Sequence, residues 1–485
     1  MIMHTSKLTA ALLAAVLTAG CTGCGTTDIT TNLTTDQTQP AATSLVTSEA
    51  VSSAVPETTA SLPAAVSSAA ASTSAAASVP GSTTSAASVP AVTTAAQNNG
   101  GGNSYTQPAK TQVLTTPLIQ TAAPVTSVST AQTSAVTTTT SAPRQFAVLA
   151  GIDADLVERA SKMSLHEKIS QMMMGSAADV SNATKAVENG VGALCLFAKA
   201  FSGKSKEQVK QMTASFQKAA KTPLLICIDE EGGTVNRVST NKQLRAVPFW
   251  SPRDLFETGG FDLVVSDEQE KADLLLSLGV NSNLGPVCDI ALSEKDYIYN
   301  RTVSMNPDIT SEYVKKIVET AKEKHLATTL KHFPGYGGSR DTHKNMATDT
   351  RPFSEFETRD LLPFKAGIAA GADSVMVAHN IVECLDKELP ASLSPAVHKL
   401  LREDLGFTGV IITDDLGMNA ITQFTNGKNP AVAAVLAGND FLCYADYANS
   451  VPAVEKAIKA GEISEDQIDY SVQRILQWKR NIGIL

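Results

Sequence analysis

Charged and aromatic side chains are distributed very unevenly along this 485-residue chain. The first 145 residues contain seven charged side chains and a single aromatic, Tyr105, although the whole chain has 39 basic, 48 acidic, 14 Phe, 8 Tyr and 2 Trp residues. A segment so poor in large apolar groups cannot bury enough surface to offset the entropy of ordering its backbone. We therefore predict a disordered N-terminal tether and one folded domain over 146–485, whose charged fraction of about 24% is ordinary. The slight acidic excess of that domain gives no support for nucleic-acid binding.

The first residues have the pattern of an export signal. The apolar run 8–20 is too short to span a bilayer and is typical of a signal-peptide core. Small residues then precede Cys21, as in a bacterial lipobox, although Thr18 stands where Leu is usual. We predict a signal peptide over 1–24, lipidation of Cys21, and an exported protein that contacts the membrane through its lipid anchor only. A secreted protein with an ordinary cleaved signal is the alternative.

Residues 25–145 are dominated by Ser, Thr, Ala, Pro and Val, with near-repeats such as AASVPAVTT. Such composition is typical of a disordered linker. A flexible chain of this length has a root-mean-square span of roughly 60 Å. We expect a spacer without catalytic residues.

Residues 146–485 alternate between short apolar runs and amphipathic segments. The segments indicate helices, including 206–219, 308–324, 361–370, 431–437 and a last helix capped by Ser464. Eight strand–helix units in about 340 residues predict a TIM (β/α)8 barrel of the α/β class, with a doubly wound sheet as the alternative. The eight candidate strands are 168–175, 192–197, 223–229, 280–289, 327–332, 374–379, 409–414 and 440–444.

Residues with ionisable side chains lie at the ends of these predicted strands. In a TIM barrel the active site lies at the carboxyl ends of the strands. The convergence of these ionisable residues at one end of the barrel predicts an active site there. The residues at the predicted strand ends are Asp229, Asp289, Lys331, His332, His379, Asp414, Asp415 and Asp446.

Three kinds of chemistry fit such a site. Barrel metallohydrolases place a His-x-His pair after the first strand, but this chain has Met172–Met174 there, so we expect no metal and no other cofactor. Serine or cysteine catalysis is disfavoured, because no G-x-S-x-G turn occurs and most domain cysteines lie in apolar strands. Carboxylate chemistry on a sugar remains, which needs a nucleophile and an acid/base group.

Two motifs favour the sugar chemistry: KHFPGYGGSRDTH at 331–343 and GVIITDDLGM at 409–418. On these the chain resembles glycoside hydrolase family 3, and within it the single-domain β-N-acetylglucosaminidase branch. IDEEGGTVNRV at 228–238 and LGVNSNLGPVCDI at 278–290 are similar to further family motifs. The resemblance covers the whole barrel and none of the tether.

The resemblance implies catalytic roles for three residues. Asp414 would be the nucleophile, and Asp415 a helix cap or hydrogen-bond acceptor. Asp341 and His343 would form the acid/base dyad, in which the aspartate orients the histidine and stabilises its protonated form. Glycines around the dyad suggest that its loop moves with substrate.

The resemblance also implies a sugar-binding set and a supporting set. Asp289 and His379 match family positions and fit either substrate contact or structural support. Arg351 and Lys344 are expected to be solvated charges. The expected substrate-binding residues are Asp229, Arg237, Arg301, Lys331 and His332.

The chain departs from the family pattern in the same motifs. Tyr336 replaces a histidine, Thr234 an arginine, and the 331–341 interval is one residue short. These departures bear on substrate preference more than on reaction class.

We expect a monomeric, retaining, exo-acting β-N-acetylhexosaminidase that removes terminal N-acetylglucosamine from cell-wall (muropeptide) or chitin-derived oligosaccharides. Because the barrel extends to Leu485, we expect no second domain, which favours N-acetylglucosamine over glucose. The alternatives are a β-glucosidase or β-xylosidase, an N-acetylglucosamine phosphorylase, a non-catalytic carbohydrate-binding surface lipoprotein, and a purely structural cell-wall lipoprotein.

Overall fold

The computed structural model describes residues 144–338, 346–426, 428–443 and 446–485. Its centre is one sheet of eight parallel strands. The strands are β1 Met173–Ala177, β2 Ala193–Leu196, β3 Leu225–Ile228, β4 Ser282–Asn283, β5 Ala327–Phe333, β6 Ser374–Val377, β7 Val410–Thr413 and β8 Leu442–Cys443. Their order in the sheet is β8-β1-β2-β3-β4-β5-β6-β7. A parallel bridge between Ile412 and Phe441 joins β7 to the segment that enters β8, so the ring closes. The predicted TIM barrel is confirmed.

Helices follow the strands around the outside of the barrel. Short 3-10 turns cover Tyr299–Arg301 and Ala391–Leu393, and π-helical turns cover Phe356–Asp360 and Leu400–Asp404. A two-stranded ladder pairs Thr348–Asp349 with Ile381–Val382. The α-helices are Ala154–Ser161, Leu165–Gln171, Val180–Glu188, Ala198–Phe201, Lys206–Ala219, Pro252–Ser277 (kinked at Gly259–Gly260), Pro307–Glu323, Phe353–Glu355, Leu361–Ala370, Pro395–Lys399, Asn419–Phe424, Pro430–Ala437, Tyr447–Lys459 and Glu465–Asn481.

The first predicted strand is wrong over most of its length. Residues 168–171 belong to the helix Leu165–Gln171, which Ser164 and Glu167 start with a capping box. Lys168 is buried in this helix because its ammonium pairs with Asp469 at 2.7 Å. A helix that is buried along its last turn cannot be told from a buried strand by burial alone.

The predicted fourth strand is shorter than expected, and Ser282–Asn283 is its regular part. Beyond it the backbone turns at Gly285 and Pro286 but stays beside β5. Val287 forms a parallel bridge with Lys331, and the Cys288 amide donates to the Lys331 carbonyl at 2.7 Å. This segment therefore carries Asp289 to the end of β5.

Four of the five described cysteines are buried, and Cys384 is exposed. Cys195 and Cys227 are register partners on β2 and β3. Burial raises the pKa of the Cys227 thiol to about 12. Such thiols act as small apolar core groups rather than as nucleophiles.

The predicted signal peptide with Cys21 and nearly all of the predicted linker lie outside the described residues. Within the described ranges, no helix combines the length and apolar character needed to cross a bilayer. The domain boundary predicted at 146 stays a prediction. Arg144 already pairs with Asp466 and Asp469 of the last helix, at 2.5 and 2.6 Å.

Candidate active site

Lys331 lies at the centre of a charge cluster at the carboxyl ends of β3 and β5. Its Nζ is 2.7 Å from Asp229 Oδ1 and 2.6 Å from Glu231 Oε1. Only 2% of the residue is exposed. Burial alone would lower the pKa of the Lys331 ammonium, but Asp229 and Glu231 outweigh burial and raise it. The lysine is therefore a fixed cation between two carboxylates.

Arg301 pairs with the same Glu231 carboxylate as Lys331. Its Nε and Nη2 donate to the two carboxylate oxygens at 2.8 and 2.7 Å, which is the bidentate geometry that favours arginine. Burial would raise the pKa of Glu231, but Arg301 and Lys331 hold it well below its usual range. Glu231 is not among the site residues predicted from the sequence, although it lies in the family-like motif IDEEGGTVNRV at 228–238. Its place in that motif, two residues after Asp229 and directly before Gly232 and Gly233, was the signal that could have identified it.

His332 is oriented by Asp289. The ring Nδ1 and the backbone amide of His332 are 2.6 and 3.1 Å from Asp289 Oδ2, and the Tyr336 amide donates to Oδ1 at 2.6 Å. Arg301 Nη2 is 3.3 Å from the other ring nitrogen, Nε2. This arrangement suits a neutral ring that donates from Nδ1 to the carboxylate and accepts at Nε2. Of the two roles left open for Asp289, these contacts are those of a positioning residue.

Arg237 lies at the more open side of the cluster, with its Nη2 3.8 Å from Asp229 Oδ2. Its loop is held by the buried carboxylate of Glu230, which accepts backbone hydrogen bonds from Arg237, Val238 and Ser239 at 2.8, 2.7 and 3.1 Å. Asp229 and Arg237 are both partly exposed. Together with Arg301, which is also partly exposed, they are the members of the cluster that a ligand can reach.

Asp414 and Asp415 follow β7. The Asp414 amide donates to the Val377 carbonyl at 3.0 Å, and the Asp414 carboxylate accepts from the Asp415 amide at 2.8 Å. The Asp415 carboxylate accepts from the Gly417 amide at 2.8 Å, which fits the predicted acceptor role. Asp414 is thus the carboxylate carried directly by the strand end.

His379 contacts the backbone that follows β7. It is fully buried, its Nδ1 is 2.7 Å from Ser392 Oγ, and its Nε2 is 3.0 Å from the Asp415 carbonyl. These contacts are those of a residue that positions the Asp414–Asp415 backbone. Asp446 follows β8, where it accepts from the Asn449 side chain at 2.8 Å.

The Cys443 thiol is affected electrostatically by both groups of carboxylates. Burial raises the pKa of Cys443 at the end of β8 well above its usual value, and the charges of Asp415, Asp414 and Asp229 add to this effect. Because Asp414 follows β7 and the Lys331 cluster lies at the carboxyl ends of β3 and β5, which are parallel strands of the same sheet, the candidate nucleophile and this cluster lie at the same end of the barrel.

The predicted dyad, Asp341 and His343, lies outside the described residues, as does Lys344. The described segment that follows it is anchored by Arg351, which pairs with Asp349 and Asp360 at 2.8 Å each. The prediction that Arg351 is a solvated charge is wrong. Burial would lower the pKa of its guanidinium, but the two carboxylates raise it. The sequence does not show the pairing of Arg351 with Asp360, because Asp360 lies nine residues further along the chain on a π-helical turn.

Within the described ranges, no three or more His, Cys, Asp or Glu side chains are grouped so that they could hold a metal ion. The expectation of metal-free catalysis stays a prediction.

A closed parallel barrel with this cluster of paired carboxylates and cations at its strand ends defines a (β/α)8-barrel enzyme. The family described as "Glycosyl hydrolase family 3 N terminal domain" matches residues 164–478. The chain belongs to glycosyl hydrolase family 3. The predicted family is confirmed, and with it the predicted enzyme class, a glycoside hydrolase.

Individual relatives agree with this assignment. A Beta-hexosaminidase of Stenotrophomonas maltophilia is 36% identical over 235 residues, which are 47% of this chain and 69% of that protein. The solved family 3 β-N-acetylglucosaminidase from a Paenibacillus species is 32% identical with a TM-score of 0.62, over 66% of this chain and 63% of that one. This chain therefore spans less than two thirds of the Paenibacillus protein. A family 3 glycosyl hydrolase from Mycobacterium smegmatis is 28% identical with a TM-score of 0.59, over 66% and 98% of the two chains.

Proposed function

We propose that this protein is a retaining, exo-acting β-N-acetylhexosaminidase that releases terminal β-linked N-acetylglucosamine from cell-wall (muropeptide) or chitin-derived oligosaccharides. The observation that carries the proposal is the cluster of Asp229, Glu231, Lys331 and Arg301 at the same barrel end as Asp414. The relatives named Beta-hexosaminidase support the choice of sugar.

The cluster would bind the terminal sugar. Asp229 offers carboxylate oxygens to sugar hydroxyls, and Arg237 offers donors from the open side. Lys331 and Arg301 are already held by Glu231, so little side-chain entropy is lost when the sugar arrives. The sugar is therefore bound by groups that are in place beforehand.

The reaction would proceed in two displacements. The Asp414 carboxylate attacks the anomeric carbon while His343 protonates the leaving oxygen, which gives a glycosyl-enzyme and the shortened glycan. His343 then takes a proton from water, whose oxygen attacks the same carbon and releases Asp414. Asp341 would orient His343 throughout. Two inversions return the sugar with its original β configuration.

The first test compares aryl β-N-acetylglucosaminide with aryl β-glucoside as substrates of the full-length protein. Faster turnover of the N-acetylglucosaminide, with the β anomer as the first product seen by NMR, is the expected result. Faster glucoside turnover would contradict the proposed specificity. An α anomer as the first product would contradict the retaining mechanism. Sugar 1-phosphate formed on addition of phosphate would identify a phosphorylase instead. Absence of turnover on every glycan would favour the carbohydrate-binding alternative.

We further propose export and lipid anchoring through Cys21, with 25–145 as a disordered linker and a monomeric barrel as the displayed part. Metabolic labelling with a radioactive fatty acid should mark the wild type and not Cys21→Ser. The substitution should also move the protein from the membrane fraction to the medium or soluble fraction. Equal labelling of both proteins would contradict the anchor.

A further inference from the structure

A cavity of about 770 Å³ lies at the amino ends of the barrel strands. Asp373 and Gly409, the residues directly before β6 and β7, line this amino-end cavity together with Arg402, Arg474 and Trp478. The strands are parallel, and the candidate active site follows their carboxyl ends. The amino-end cavity is therefore a separate feature, at the opposite end of the barrel, and the proposed reaction does not use it.

Two guanidinium groups in the cavity share one carboxylate. Arg402 and Arg474 both pair with Asp440, and the Arg474 Nη1 does so at 2.9 Å. Asp440 is 1% exposed, and the two arginines hold the pKa of its carboxyl below its usual range against the effect of burial. Burial lowers the pKa of the Arg402 guanidinium, and Asp440 does not offset the combined effect of burial and the Arg474 charge. The group of three therefore carries one positive charge in excess.

The other carboxylate in the cavity wall has partners of its own. Asp373 Oδ2 accepts from the Thr328 amide at 3.0 Å. A Cβ at Gly371 would lie 2.6 Å from Lys322 Nζ, which places this ammonium at the rim of the cavity. Burial raises the pKa of the Asp373 carboxyl to about 6, and the charge of Lys322 acts in the opposite direction. Asp373 thus interacts with Lys322 and, among the described residues, forms no ion pair with either arginine of the cavity.

Arg474 has unused hydrogen-bond donors. A guanidinium has five N–H donors, and within the described ranges Arg474 donates one hydrogen bond, to Asp440. Its buried Nε has no acceptor, and neither has the buried Nε1 of Trp478, four positions later on the same helix. Residues four apart lie on one face of a helix, so both belong to the same wall of the cavity. A carboxylate or phosphate group matches both the excess charge and the unused donors of this wall.

Residues 149–152 form another wall of the cavity. The Leu149 amide donates to Gln473 Oε1 at 2.9 Å, and the Asp153 amide donates to Gln477 Oε1 at 3.0 Å. Side chains of the last helix therefore fix this segment relative to the helix that carries Arg474. The segment adds aliphatic side chains to the cavity lining, so the cavity offers an uncharged surface as well as a cationic one.

We propose that the amino-end cavity binds a small anionic molecule by its carboxylate or phosphate group, with Arg474 as the donor and Arg402 as a second positive charge. The uncharged part of the molecule contacts residues 149–152. This ligand is distinct from the glycan substrate, because the cavity and Asp414 lie at opposite ends of the barrel. A ligand that binds only the folded protein also raises its Tm.

Calorimetric titration of the full-length protein with three probes tests the site. Glycerol 3-phosphate carries a phosphate, lactate carries a carboxylate, and glycerol is uncharged. All titrations use the same ionic strength, set with sodium chloride. We expect glycerol 3-phosphate or lactate to bind, which identifies the preferred anionic group, and glycerol not to bind. Absence of binding by both anions would overturn the proposal, as would binding of glycerol with the same Kd as the anions.

Arg474→Gln removes the proposed donor. Because Asp440 keeps Arg402 as a partner, we expect this variant to fold, which circular dichroism checks. The Kd of the bound anion should rise at least tenfold, and the increase in Tm on adding the anion should disappear. Arg474→Lys keeps the positive charge and should weaken binding less than Arg474→Gln does.

Arg480→Gln is the matched control. Arg480 lies on the same helix, pairs with Asp155 at 2.6 Å and is not part of the cavity lining. This variant should bind the anion with the Kd of the wild type. Equal Kd values in wild type and Arg474→Gln would contradict the proposed site.

A kinetic measurement separates the cavity from the active site. If the anion instead binds at the Lys331 cluster, it raises KM for an aryl β-N-acetylglucosaminide and Arg474→Gln leaves its Kd unchanged, which would overturn the proposal. An unchanged KM together with a weaker Kd in Arg474→Gln supports the cavity. The titrations need no turnover, so they decide about this site even if the proposed glycosidase activity is not found.

Discussion

Arg301 donates two hydrogen bonds to Glu231, from Nε at 2.8 Å and from Nη2 at 2.7 Å, inside the carboxyl end of the barrel. Seventy positions of sequence separate the two residues. Because Lys331 shares the same carboxylate at 2.6 Å, Glu231 keeps two cations in place at once. A buried carboxylate with these partners is costly to neutralise, since both cations would remain buried.

Glu231→Gln is therefore expected to lower stability by about 3 kcal/mol. It should also reduce kcat/KM by about 100-fold or more, because Lys331 and Arg301 lose their common anchor. Urea denaturation and steady-state kinetics at pH 7 provide the measurements. Glu270→Gln is the control: Glu270 forms the same bidentate contacts with Arg245 but is 57% exposed in its side chain. We expect a cost below about 1 kcal/mol there. Equal effects of the two variants would contradict the role given to burial.

Asp289→Asn should disturb the orientation of His332. The carboxylate accepts from three N–H groups, and an amide has one oxygen, so at least one donor must face the new NH₂. We expect kcat to fall about 10- to 100-fold and stability by about 2 kcal/mol. Asp446→Asn, at another strand end, should leave both values nearly unchanged. A wild-type kcat in Asp289→Asn would show that His332 needs no fixed orientation.

Asp414 and Asp415 can be separated by paired substitutions. Asp414→Asn should lower kcat by about 1,000-fold or more, because an amide cannot form the glycosyl-enzyme. Asp415→Asn retains an oxygen for the Gly417 amide and should stay within about tenfold of wild type. Mass spectrometry of the protein with a slow 2-fluoro sugar should locate the adduct on Asp414. The reverse order of effects would make Asp415 the nucleophile.

Lys479 should make the stability depend on pH. Burial lowers the pKa of its ammonium to about 7, with Gln171 Oε1 at 2.8 Å as hydrogen-bond partner. Between pH 7 and about 10 the unfolded chain then binds the extra proton, so the free energy of unfolding rises with pH across this window. Lys479→Met should remove that rise, which is on the order of 3 kcal/mol.

Urea denaturation at pH 7 and pH 9.5 measures the difference. Lys221→Met is the control, because the Lys221 side chain is 85% exposed. It should leave the pH dependence as in the wild type. A slope unchanged in Lys479→Met would mean that Lys479 is charged in the folded protein.

Local pattern was sufficient where an element has its own start and stop signals. Helices Lys206–Ala219 and Leu361–Ala370 lie where periodicity predicted them, and Ser464 caps the last helix by accepting from the Asp466 amide. The prediction of the first strand failed because most of that segment belongs to the helix Leu165–Gln171, whose last turn is buried. In this helix the charge of Lys168 is neutralised by Asp469, 301 positions further along the chain. A carboxylate partner allows a lysine to be buried, and the local sequence does not show a partner that lies so far along the chain.

The sequence by itself determined the order of strands and helices, and so the end of the barrel where Asp229, Lys331 and Asp414 lie. This follows because parallel strands joined by helices bring all their carboxyl ends to one face. Only the tertiary structure decided which charges pair: Glu231 with both Arg301 and Lys331, and Asp289 with His332. The energy of a charge pair depends on distance and burial, and neither is a property of position along the chain.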